Sequence, residues 1–81
     1  MTQLLCQIDT PDAPGWKADF DTEASERMEA GLTLLQMWRD ADSRSRLLLL
    51  FEANDRRRAE TWLAKERGFG GPMIATFLEF M

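Results

Sequence analysis

Between Thr2 and Asp9 the side chains alternate, with Leu4, Cys6 and Ile8 on one face and Gln3, Leu5 and Gln7 on the other. That period of two predicts a strand. Thr10-Pro11-Asp12-Ala13-Pro14-Gly15 is turn chemistry, with Asp12 placed to cap a helix. A helix is then expected to run to about Ala30, because Trp16, Phe20, Ala24 and Met28 recur every fourth residue as one apolar stripe. Gly31 suits the position just past its end.

Leu32 to Arg39 reads as a second strand, Asp40 to Ser45 as a polar turn, and Arg46 to Glu52 as a third strand, the two forming an antiparallel hairpin. Asn54 is the expected cap of a second helix whose apolar positions are Ala59, Trp62 and Leu63. Gly68-Phe69-Gly70-Gly71-Pro72 breaks that helix, and Met73 to Phe80 supplies a fourth strand. The order β-α-β-β-α-β over residues 1–81 predicts one α+β domain. It is the ferredoxin-like arrangement, a four-stranded antiparallel sheet with two helices on one face.

The third and fourth strands are apolar on both faces, through Leu47-Leu48-Leu49-Leu50-Phe51 and Met73-Ile74-Ala75-Thr76-Phe77-Leu78. A strand sends alternate side chains to opposite faces, so both faces ask for burial. Two helices cover one of them. The other keeps Leu5, Leu48, Leu50 and Phe77 or Leu78, a patch of several hundred Å2 that a monomer seldom leaves exposed. In a chain of 81 residues with a single cysteine and no histidine, neither a disulfide nor a Cys/His metal site can staple the fold. A homodimer through the open sheet face is the expected solution.

Charge narrows the partners. Residues 1–31 carry seven acids against Lys17 and Arg27, a balance of −5. Residues 39–67 carry eight bases against six acids, a balance of +2, and Glu79 brings the total to −4. A net acidic chain disfavours nucleic acid and anionic membranes as partners. No apolar run reaches the roughly 18 residues of a membrane span, and the N-terminus lacks the features of a signal peptide. A cytoplasmic protein is the expectation.

With no histidine and no tyrosine there is no imidazole base and no Ser-His-Asp or Cys-His set. Cys6, alternating with Leu4 and Ile8, reads as a small core residue. Gly68-Phe69-Gly70-Gly71 lacks the Lys-Ser/Thr of a phosphate loop and leads into a strand. Arg56-Arg57-Arg58 sets three cations against the positive end of a helix dipole. Glu52, Asp55 and Glu60 can pair with them, and the alternative is a site for an anion. The topology also occurs in RNA-recognition domains, but the aromatic signature those need is missing.

What chemistry there is lies among the polar exceptions on the open face. Gln7 is the first candidate, joined by Gln36 and Trp38 if the second strand turns that way, with Arg39, Arg46, Glu52 and Glu79 near strand ends at the cavity mouth. An apolar cavity with a few convergent polar groups is the usual form of a small-molecule site.

Leu35-Gln36-Met37-Trp38-Arg39, the hairpin into Leu47 to Phe51, and Glu52-Ala53-Asn54-Asp55 at the next helix start resemble the second half of muconolactone-isomerase-like proteins. These belong to the dimeric α+β barrel superfamily. The resemblance implies two subunits with facing sheets and a cofactor-free cavity, either between sheet and helices or at the interface. It also implies relatives that include isomerases and monooxygenases, many of the latter using a histidine absent here. The reading is a small-molecule-binding homodimer with no cofactor and no metal. The alternatives are a purely structural or interaction module, or a cofactor-free isomerase of a small organic acid. In the isomerase, Glu52 or Glu79 would move the proton and Arg39 or Arg46 would hold the carboxylate.

Overall fold

A computed structural model describes residues 2–66 and 73–81. The elements are β1 (Thr2–Asp9), α1 (Ala13–Thr22), α2 (Ala24–Glu29), β2 (Leu32–Arg39), β3 (Arg46–Ala53), α3 (Arg56–Glu66) and β4 (Met73–Glu79). The strands form one antiparallel sheet in the order β2-β3-β1-β4, with the helices on one face. This is the ferredoxin-like fold that the alternation of periods predicts. The glycine-rich connection at 68–72 lies outside the described residues.

The first helical region departs from expectation. It is two helices, broken at Glu23, whose φ of −104° and ψ of 18° leave the helix well. A spacing of four advances 40° per step beyond a full turn, so three steps carry a side chain about 120° around the helix. Trp16 and Phe20 therefore face the sheet, whereas Ala24 is exposed and Met28 is 76% exposed. The buried series alternates steps of four and three, through Trp16, Phe20, Glu23, Arg27 and Ala30, with only Glu23 partly exposed. Arg27, a charged residue, occupies the place expected for Met28.

Arg27 is only 8% exposed. Its guanidinium lies 3.5 Å from the centroid of the Phe20 ring and donates to the Phe20 carbonyl at 2.6 Å. That carbonyl also accepts from the Glu23 N–H at 3.2 Å, an i to i+3 bond that tightens the last turn of α1. The arginine thus satisfies a carbonyl near the end of α1 and lays its cation on an aromatic face.

Capping is local. Asp12 accepts from the Gly15 N–H at 3.1 Å, and a Cβ at Gly15 would run into that carboxylate. Gly31 has φ of +76°, the left-handed conformation that glycine adopts without penalty. Its carbonyl accepts from the Asn54 N–H at 2.9 Å, which ties the end of α2 to the end of β3. The cap of α3 is Asp55 and not Asn54, since Asp55 Oδ1 accepts from the N–H groups of Arg57 and Arg58 at 3.0 and 3.3 Å. The carboxylate one residue later meets the orphan donors and, being charged, also complements the dipole.

The core lies between sheet and helices. Leu4, Cys6, Leu49, Phe51 and Ala59 are at most 1% exposed. Trp16 stacks on Phe20 at 4.9 Å, Phe20 approaches Phe51 at 6.2 Å, and Phe51 meets Trp62 edge-on at 6.1 Å, so aromatic rings join α1, β3 and α3. Burial pushes the Cys6 thiol up to about 12, as expected of a core cysteine.

The register of β2 changes partway along. Leu32 and Leu34 pair with Ala53 and Phe51, then Gln36 pairs with Leu50, so Leu34 and Leu35 together occupy one step of β3. This is a β-bulge. Strict alternation from the buried Leu32 would send Gln36 and Trp38 toward the helices. The extra residue turns both to the open face.

Candidate functional site

The open face is laid out in rows by strand register, because directly opposed residues share a face. One row reads Trp38, Leu48, Gln7, Ile74 from edge to edge. The next reads Gln36, Leu50, Leu5, Thr76, and a third reads Thr33, Glu52, Gln3, Leu78. Leu78 is the open-face member of the pair left open in the sequence, and Phe77 points to the helices opposite Leu4. Trp38 is 47% and Ile74 61% exposed, while Leu5, Leu48 and Leu50 are half-buried. Gln7 and Gln36 are thus polar groups set within leucine, isoleucine and tryptophan.

The charged candidates do not gather there. Arg39 is in register with the buried Leu47 and Glu79 with Thr2, whose β3 partner is the buried Ala53, so both lie toward the helix side. Arg46 and Glu52 are on the open face at opposite ends of β3. Six residues of strand separate them, about 20 Å. Arg46 is also engaged with Asp9 at 3.7 Å and Asp40 at 3.5 Å. Within one subunit no small organic acid could bind Arg46 through its carboxylate and reach Glu52 with its reacting carbon.

The arginine triplet does not form a patch. Arg56 pairs with Glu60 at 3.4 Å and lies 4.5 Å from the Phe77 ring centroid, while Arg58 borders a groove between α2 and α3 opposite Glu26 and Glu29. Among the described residues no three His, Cys, Asp or Glu side chains converge on a metal-sized site. No described helix is long and apolar enough to cross a membrane.

A second location lies between sheet and helices. Cys6, Trp16, Phe20, Arg27, Phe51 and Trp62 are among the residues around a void of about 20 Å3. That is room for one water. The indole N–H of Trp62 is buried and has no hydrogen-bond partner among the described residues. The chemistry of this lining is that of a small-molecule pocket, aromatic with a cation, but in this conformation it is nearly closed. Arg27 was not singled out from the sequence, because a charged residue on a helix otherwise reads as solvated. Its spacing from Phe20, seven residues, was the available signal.

Comparison with known proteins finds no matching family model and no matching curated protein. Solved structures do match, along the whole chain. One from Nitrosomonas europaea, named provisionally as an antibiotic biosynthesis monooxygenase, is 13% identical with a TM-score of 0.56, covering 100% of this chain and 99% of its own. A structure from Deinococcus radiodurans, with the same provisional name, is 14% identical with a TM-score of 0.60, covering 100% and 93%. A third, named an antibiotic biosynthesis monooxygenase, is 11% identical with a TM-score of 0.62, covering 100% and 99%. None of these three is named a muconolactone isomerase, so that narrower likeness rests on the residues quoted for it. At such identity the shared feature is the ferredoxin-like fold, along the full length of the chain.

Proposed function

We propose that the protein is a homodimer built through its open sheet face, and that it binds a small, mostly apolar organic molecule between the two faces without a cofactor. The observation that carries this reading is the bulge at Leu34-Leu35. It turns Gln36 and Trp38 onto the face that already holds Gln7, Leu5, Leu48 and Leu50. Leucines alone would suit a dry interface. Two primary amides among them need hydrogen-bond partners once covered, and a ligand with one or two polar groups supplies them. Covering the face contributes about 25 cal/mol per Å2 of apolar area before association costs. The void between sheet and helices has room for only one water, which favours the interface as the binding place.

Native mass spectrometry of the purified protein and two variants tests this. The wild type should be a dimer retaining added mass. Leu50→Glu should lose both dimer and ligand, and Gln7→Leu with Gln36→Leu should keep the dimer and lose the ligand. A wild-type monomer would sink the reading, as would ligand retention undiminished in the double variant.

A second reading is monooxygenation of a phenol to a quinone, in which one atom of O2 enters the ring and the other leaves as water with two hydrogens and two electrons from the substrate itself. The names of the three similar structures and the ring series from Trp16 to Trp62 support it. On this reading the closed void opens to admit the substrate beside Arg27. Oxygen consumption with a panel of phenols and hydroquinones tests it, and no turnover above the buffer rate would remove it.

A further inference from the structure

At the β2 edge of the sheet, where its helix side meets the rim of the open face, a surface groove of about 420 Å3 runs between the start of α1 and the end of β2. Its apolar lining is Ala13, Pro14, Met37, Trp38 and Leu47, and its two charged residues, Lys17 and Arg39, are both cations. In a chain of net charge −4 that is a local reversal of sign on an apolar surface. Lys17 holds one partner, Asp21 at 2.9 Å, in an exposed i, i+4 pair. Such a pair is worth about 0.3–0.5 kcal/mol and is readily exchanged for another anion. Of the acids next to lining residues in the chain, Asp12 accepts from the Gly15 N–H and Asp40 pairs with Arg46 at 3.5 Å.

From this we infer that the groove is a binding site for amphipathic monocarboxylates, of the class of medium-chain fatty acids or aryl-alkanoic acids. The guanidinium of Arg39 meets the carboxylate in a bidentate charge-assisted pair, and Lys17 adds a second cation. The acyl or aryl body lies along Met37 and Leu47, with the Trp38 indole at the rim. The volume is in the range of small-ligand sites, and the combination of apolar walls with two cations selects a carboxylate with an apolar body over either part alone. Trp38 is the one lining residue that the open face also presents; Lys17, Arg39, Met37 and Leu47 lie outside the open-face cavity.

Octanoate is the probe, with octanol as its uncharged counterpart, each titrated into 15N-labelled protein and followed by NMR. The expected result is saturable octanoate shifts centred on Ala13, Lys17, Met37 and Leu47, with octanol about tenfold weaker and Arg39→Gln reducing octanoate affinity about tenfold. Added salt should weaken octanoate and leave octanol unchanged. Absence of saturable shifts, equal binding by Arg39→Gln, or shifts centred on Leu5, Leu48 and Leu50 of the open face would each overturn the assignment. The last outcome would leave the open-face reading standing, so the two fail separately.

Discussion

Arg27 should matter more to stability than any hydropathy pattern suggests, and the neighbouring Met28 should matter hardly at all. The guanidinium is stacked on Phe20 at 3.5 Å and donates to the Phe20 carbonyl at 2.6 Å, in a position only 8% exposed. A desolvated cation–π contact is worth about 2 kcal/mol and a hydrogen bond from a charged group about 1.5–3 kcal/mol. Against these stands the cost of burying the charge, so the net loss in Arg27→Ala is about 3 kcal/mol. A chain of 81 residues has a total stability of about 4–12 kcal/mol. The loss should lower Tm by about 12–24 °C at fixed protein concentration. Arg27→Met keeps the apolar stem over the ring and should lose about 2 kcal/mol, whereas Met28→Ala, at a 76% exposed site, should stay within about 0.5 kcal/mol. Thermal and urea unfolding by circular dichroism read all three. If Arg27→Ala melts within a few degrees of the wild type while Met28→Ala is strongly destabilised, the assignment of the buried face is wrong.

Deleting Leu35 should remove the bulge while leaving Gln36 opposite Leu50, so the fold and the open face survive and unfolding by urea shifts by no more than about 1–2 kcal/mol. Deleting Leu48 from the regular β3 should abolish folding, because a one-residue slip moves every later side chain to the other face; equal tolerance of both deletions would refute the bulge. Gly31→Ala forces a side chain into φ of +76° and should destabilise by about 1–2 kcal/mol in the same assay. The Cys6 thiol is raised to about 12 in the fold from an ordinary value of 9.0. The unfolded chain therefore loses its proton first, and stability falls as pH rises from about 9 to 12, by up to about 1.4 kcal/mol per unit. Cys6→Ala should remove that dependence in pH-varied unfolding, and an unchanged slope would place Cys6 outside the core.

The strands were legible because their signal is local. Alternation from Thr2 to Asp9 and the leucine run from Leu47 state their own faces, and the structure places β1, β2 and β3 within a residue of where the pattern puts them. The helix face was less legible. A step of four looks periodic over the thirteen residues from Trp16 to Met28 yet drifts off the sheet, and only the tertiary contact with Phe20 shows that Arg27 replaces Met28. The bulge was invisible for a different reason. Leu32-Thr33-Leu34-Leu35-Gln36-Met37-Trp38 fits either register, and pairing with β3 decides which one forms. Gln36 and Trp38 could thus be named as candidates without their direction being fixed. Arg39 and Glu79 were grouped with them on nearness to strand ends, but parity sends both toward the helices.

Whether a second copy covers the open sheet face is tested most directly by native mass spectrometry of the wild-type protein at micromolar concentration, with Leu50→Glu beside it. Leu50 is half-buried at the centre of that face, so a monomer should tolerate the acid, while a two-fold interface would bury two of them at a cost of several kcal/mol. The predicted result is a wild-type dimer and a folded Leu50→Glu monomer. A wild-type monomer, or a Leu50→Glu dimer as stable as the wild type, would contradict it.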